Sequence, residues 1–167
     1  MLTPEQVARQ TLELYETYYN DSLDLVEAEW AATEDIALSD FVTRQFTADP
    51  SSLEAAWLLP ALAIGVGQWI PVAGIKTQQM INFYDLEMQV VYYFQDIDSH
   101  RLGVIIMRHM QATLDFLNKH PGLDLRGGDV SISEGPRLLP SRVMPRGNAL
   151  VKGLLVQFNI RFEQYGF

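Results

Sequence analysis

The sequence predicts an α+β fold: an antiparallel sheet of about four strands packed by a helix, with a long N-terminal helix and an extended loop or hairpin arm. Two observations predict it. Leu86, Met88, Val90, Tyr92 and Phe94 alternate with Asp85, Glu87, Gln89, Val91, Tyr93 and Gln95, and Leu154, Val156, Phe158, Ile160 and Phe162 alternate with Leu155, Gln157, Asn159, Arg161 and Glu163. Strand side chains point to opposite faces in turn, so each segment has one face for a core and one mostly for water. The second observation is residues 99–119, whose apolar residues recur at helical spacing on one side, as a helix covering such a sheet requires.

In chain order, Thr3-Pro4-Glu5-Gln6 is a helix start, with Thr3 as cap, Pro4 at the first helical position and Gln6 completing a capping box. Leu12, Tyr15, Tyr19, Leu23, Val26 and Trp30 form one stripe, and Val7, Leu14, Tyr18 and Leu25 a second on roughly the opposite side. A helix apolar on two sides has two things to touch, its own sheet and a neighbouring chain. The alternative is a break at Asn20-Asp21-Ser22, with Asp21 or Ser22 capping a second helix. Residues 34–57 read as a short helix or irregular segment ending in the turn Asp49-Pro50-Ser51-Ser52.

LLPALAIGVG follows as a short strand, with Pro60 marking strand entry or a sheet edge. Residues 65–80, GVGQWIPVAGIKTQQM, read as a mobile apolar loop or hairpin arm. Connections usually run over the surface and are polar, so Trp69, Ile70 and Val72 need something to cover them: their own domain or a partner subunit. After the strand around Tyr92, the residues Asp96, Asp98 or Ser99 can cap the second helix. Its inner stripe is Leu102, Ile105, Ile106, His109, Thr113, Phe116 and Leu117, with Arg101, Arg108, Gln111, Asp115, Asn118 and Lys119 opposite. His120-Pro121-Gly122 stops it. DVSISEG, residues 129–135, is a short strand, EGPRLLPSRVMPRGN, residues 134–148, a Pro/Gly/Arg-rich connection, and residues 153–167 contain the last strand.

At 167 residues a single domain is expected, with residues 1–57 mainly helical and 58–167 holding the sheet and its covering helix. No uncharged apolar run reaches the about 18 residues of a membrane span, and MLTPEQVARQ lacks the basic and apolar regions of a signal peptide. The absence of cysteine excludes a disulfide framework and thiol chemistry, and fits a reducing cytoplasm. A net charge of −9 argues against general nucleic-acid affinity. That charge is uneven: residues 1–98 hold 16 acids and 3 bases, and residues 99–167 hold 5 acids and 9 bases. Such an asymmetry can orient copies in an assembly, although solvated faces also simply differ in composition.

Little in the chain points to catalysis. His100, His109 and His120 are 9 and 11 residues apart, not at helical ligand spacing, and His109 falls on an apolar stripe where a hydrogen-bonded core or interface histidine is expected. Gly65-Val66-Gly67 is not a dinucleotide loop, and neither a phosphate-binding loop nor a nucleophile elbow occurs. No catalytic residue, metal or cofactor is expected. Arg137, Arg142 and Arg146 sit among Pro136, Pro140 and Pro145, which stiffen the segment and reduce the entropy lost on docking. Their guanidinium groups suit carboxylates, which the first half of the chain supplies, so a homo-oligomer joining basic loop to acidic helix is one expectation. Nucleic-acid contact by the same three arginines, weakened by the net charge of −9, and a plain solvated loop are the others.

The layout resembles that of the tail terminator, or tail completion, proteins of long-tailed bacteriophages and related neck proteins. The resemblance covers roughly residues 58–163: LLPALAIGV, YDLEMQVVYYFQD, RLGVIIMRHMQATLDFLNKHPGL, DVSIS and VKGLLVQFNIRFE. It implies a small α+β subunit in a ring, commonly a hexamer, at the head–tail junction of a virion made in the host cytoplasm. Such a ring stops the tail tube protein from polymerising further, meets the head-completion proteins, and lets DNA through its lumen without sequence-specific binding. The resemblance implies no catalytic residues. The expected interface residues are Trp69, Ile70 and Val72 in the arm, Arg137, Arg142 and Arg146 in the stiff loop, and Tyr18 and Leu25 on the first helix. Alternatives are another neck or connector component, a small hydrolase or ligand-binding domain built around a closed polar pocket, and an adaptor using its sheet edge.

Overall fold

The computed structural model describes residues 3–34, 36–38, 40–46, 58–72, 81–125 and 130–165. Two helices, α1 (Pro4–Trp30) and α2 (Ser99–Lys119), lie on one face of a sheet built from β1 (Thr43–Phe46), β2 (Ala61–Pro71), β3 (Ile81–Asp96), β4 (Val130–Pro140), β5 (Met144–Arg146) and β6 (Ala149–Tyr165). The strand order is β1-β2-β3-β6-β4, with β5 pairing β6 beyond the end of β4. All neighbours are antiparallel except β1 and β2.

The first helix starts as its sequence dictates. Thr3 Oγ1 accepts from the Gln6 amide at 3.2 Å, and Gln6 Oε1 accepts from the Thr3 amide at 2.9 Å, which satisfies two of the donors a helix start leaves open. The helix runs unbroken through Asn20-Asp21-Ser22, and Ser22 is buried inside it rather than capping a second helix. The two apolar stripes do not lie on opposite sides. Val7 and Leu14 are buried in the same core as Tyr15, Tyr19, Leu23 and Val26, while Tyr18 and Leu25 are exposed. Val7 and Leu25 are 18 residues apart, five whole turns, and so share one angular position; the core reaches that side of the helix only along its first half.

The long alternating strands register residue by residue, with Leu86 opposite Ile160, Met88 opposite Phe158 and Val90 opposite Val156. Those residues, with Tyr92, Phe94, Leu154 and Phe162, form the sheet side of the main core under the two helices. The other face is not uniformly wet. Val91 and Tyr93, expected on the polar side, are buried with Ala61, Ala63 and Val151 in a small second cluster. Gly153 makes room for it: a Cβ there would stand 2.9 Å from Cε1 of Tyr93.

Between helices and sheet runs a buried polar chain. Tyr92 donates to Tyr15 at 3.2 Å, the Tyr92 and Tyr19 hydroxyls both reach Thr113 Oγ1 at 3.1 and 3.2 Å, and Tyr19 lies 3.1 Å from His109 Nδ1. Thr113 in turn donates to the His109 carbonyl at 2.7 Å. Burial pushes the three tyrosine hydroxyls upward from their ordinary pKa, so they stay protonated and available as donors. His109 is thus a core histidine.

Three segments differ from expectation. Residues 43–46 form β1 on the sheet edge, where a short helix or irregular chain was expected. Four residues are too few for a periodicity, and pairing with β2 is a long-range effect. Arg108, expected on the wet side of α2, is 5% exposed and donates to the carbonyls of Ile36, at 2.8 Å, and Glu34. Residues 134–148 are not a loop: β4 continues to Pro140, and β5 turns into β6 through Gly147-Asn148. Gly147 has φ +61°, the left-handed conformation that a two-residue hairpin needs and glycine adopts freely. β4 tolerates Pro136 and Pro140 because it is an edge strand, with register shifts between Ile132 and Glu134 and between Glu134 and Arg137.

Candidate assembly surfaces

Four surfaces gather the residues singled out in the sequence and several that were not. The first is the far end of the β2–β3 hairpin. β2 is a regular strand to Pro71, so the arm is a paired extension of the sheet in its first part, with a register shift between Val66 and Trp69. Its remainder, residues 73–80, lies outside the described residues. Trp69 is 40% exposed and packs on Tyr84, with ring centroids 5.4 Å apart, and on Phe162 at 5.9 Å. The indole is therefore partly anchored in its own sheet and partly presented outward. Ile70, its neighbour on the opposite sheet face, is 51% exposed, and Val72 is half-buried.

The β4–β5 edge is the second surface. Arg137 and Arg142 are exposed and Arg146 is half-buried. Arg137 lies 3.9 Å from Glu134, a loose exposed pair that contributes little. Sequence reasoning missed Leu139, Val143 and Met144, which are exposed on the same edge. They were hidden by the reading of this stretch as a loop, since strand alternation was not sought there.

The third surface is the outside of the helix layer. Tyr18 and Leu25 are exposed, and Tyr18 leans on His120 with ring centroids 5.2 Å apart. Trp30 Nε1 donates to Gln111 Oε1 at 2.9 Å, and Gln111 donates to Glu29 at 2.9 Å, tying the helices together at the other end. Met107 and Leu114 of α2 are exposed on this side. Their spacing with Gln111, four and three residues, is a helical stripe that could have been found in the sequence but was masked by the charged residues beside it. Trp30, Val104, Met107, Arg108 and Gln111 line a hollow of about 230 Å³ there. Along α1, Glu13, Glu16, Asp21 and Asp24 are exposed and have no basic partner among the described residues.

The uncovered sheet face is the fourth. Arg161 grips Asp85 with two hydrogen bonds of 2.9 Å, which raise the arginine pKa further above its ordinary value. Glu87 accepts from Gln89 at 2.7 Å and, more weakly, from Gln157 at 3.5 Å. Glu87, Glu134, Arg137 and Asn159 border an open hollow of about 200 Å³. The histidines do not converge: His100 pairs with Glu34 at 3.2 Å, His120 with Asp124 at 2.7 Å, and His109 is buried elsewhere. Among the described residues no group of three or more potential metal ligands occurs, and no helix is long and apolar enough to cross a membrane.

No family model and no curated protein matches the chain. Among solved structures, it matches a chain from the virion of a native gene transfer agent particle at 13% identity and a TM-score of 0.38, over 87% of this chain and 92% of that one. At that identity and TM-score the match sets no function.

Proposed function

We propose that this chain is a virion structural protein that assembles with copies of itself into a ring, commonly of six, and acts as a tail terminator at the head–tail junction. The observation that carries the assembly reading is the exposure of large apolar side chains on separate sides of a well-packed subunit: Trp69 and Ile70 at the sheet end, Leu139, Val143 and Met144 on one edge, and Leu25, Met107 and Leu114 on the helices. Apolar groups held on regular elements yet left in water are what a contact with other chains covers. The resemblance of the sequence layout to that of terminators supports the particular role.

The mechanism is geometric. The ring fits the end of the tail tube by surface complementarity and occupies the site where the next tube subunit would dock, while its other side meets the neck. A subunit with a net charge of −9 suits a lumen through which DNA slides without being gripped. No bond is made or broken, so no cofactor is required.

Replacing Trp69 and Ile70 together with serine is expected to abolish ring formation or tail joining while the fold survives. Because Trp69 also packs on Tyr84 and Phe162, Ile70→Ser alone serves as the variant with least cost to stability. Circular dichroism reports the fold, and electron microscopy of tails assembled with each variant reports joining. Tails completed at the wild-type rate by both variants would remove the sheet end from the contact.

A further inference from the structure

The charge asymmetry of the sequence becomes a spatial one in the fold. α1 lies against β1 and β2, at one side of the sheet, whereas α2 lies against β3, β6 and β4. The strand order β1-β2-β3-β6-β4 therefore puts the acidic helix near one lateral edge and the arginine-bearing β4–β5 segment at the other. Asp21 and Asp24 are exposed on α1, and Arg137 and Arg142 on the β4–β5 segment. Neither set neutralises the other within one copy.

Each charged set has apolar side chains beside it, Leu25 on the helix and Leu139 and Val143 on the strands. Strand addition across the β4 edge is disfavoured, because Pro136 and Pro140 lack an amide hydrogen and two register shifts bend the strand. Contact at this edge is therefore made by side chains. An arginine fork meeting an exposed carboxylate, with aliphatic groups at its base, fits that requirement.

We propose that the β4–β5 edge of one copy docks on the outer face of α1 of the next, with Arg137 and Arg142 against Asp21 and Asp24. The inference rests on the self-assembly reading above and names its contact. The two faces are different and lie on different elements, so every copy can use both at once. Such a head-to-tail contact repeats until rotation closes it into a ring. It also makes association weaken with salt, since exposed charges are screened over about 10 Å at 0.1 M ionic strength.

Charge reversal tests it. One variant carries Arg137→Glu with Arg142→Glu, and the other Asp21→Lys with Asp24→Lys; all four positions are exposed, so folding is spared. Each variant alone sets like charges against each other and is expected to self-associate about 100-fold more weakly than wild type, by analogy with close charge pairs at other interfaces. Mixing the two variants, or combining all four substitutions in one chain, restores opposite charges and is expected to restore assembly. Sedimentation velocity at low salt reads wild type, each variant, the mixture and the combined chain. Wild-type assembly that both reversed variants share unchanged, or that neither mixing nor combination restores, overturns this contact and leaves self-assembly standing. A wild-type chain that stays monomeric overturns both.

Discussion

Acid is expected to remove stability from this fold through His109, beginning near pH 6.5 and continuing to about pH 3. The imidazole is fully buried, packed against Phe94 with ring centroids 4.3 Å apart and against Phe41 at 5.6 Å, and its Nδ1 is 3.1 Å from the Tyr19 hydroxyl. Its Nε2 has no hydrogen-bond partner among the described residues. Nothing in that setting compensates a positive charge, so burial lowers the pKa from 6.5 to about 3. Between those values the unfolded chain binds a proton that the folded chain refuses. Stability therefore falls as pH falls, by about 1.4 kcal/mol per pH unit at full slope, and by roughly 4–5 kcal/mol over the whole window. That is a large share of the about 5–15 kcal/mol that holds a typical domain. His109→Gln can keep a hydrogen bond to Tyr19 but does not titrate. Urea melts between pH 7 and pH 4 are expected to show a flatter pH dependence for it than for wild type, even if it starts less stable. Equal slopes in the two proteins would show that His109 is protonated in the folded state or that other groups dominate.

The second large effect is expected at Arg108. Its guanidinium closes the segment after α1 onto α2 by donating to the Glu34 and Ile36 carbonyls, and Ile36 is itself buried. Arg108→Met keeps the aliphatic stem but leaves two carbonyls without donors. Each unpaired buried group costs about 1–3 kcal/mol, so a loss of about 2–6 kcal/mol is expected if water does not enter. Because the residues freed connect α1 to β1, proteolysis should become faster around residues 34–38 before global unfolding. Arg108→Lys restores one donor and should recover part of the loss. A melting midpoint for Arg108→Met within a degree of wild type would show that water replaces the side chain without cost.

What could be read in the sequence divides along a physical line. β3 and β6 were legible because each buries one face only, and alternation then records the burial directly. α2 was legible as an amphipathic helix for the same reason, except at Arg108, whose partners lie more than 70 residues away and leave no local trace. Val91 and Tyr93 broke the alternation rule because a second cluster covers only one end of the outer face. Ala61, Ala63 and Gly153 make that possible, and small residues carry little pattern.

The β4–β5 edge was hidden by its own composition. Pro136, Pro140 and Gly147 are loop signals in isolation, but on an edge strand and in a hairpin turn they are compatible with pairing. Of the interface candidates, Trp69 was placed correctly in an arm but is tied more closely to its own sheet than its sequence suggested. Tyr18, Leu25, Arg137 and Arg142 stand in solvent as an interface would need. Met107 and Leu114 were overlooked, although their helical spacing was available.

The proposed ring requires copies of this chain to cover surfaces that one copy leaves open. The most direct measurement is the mass of the wild-type protein in solution at low salt, by light scattering on a size-exclusion column across a range of concentrations. One discrete species with the mass of a small closed ring, dissociating as salt is raised, is the expected result. A single 19.0 kDa species at every concentration and salt would contradict it.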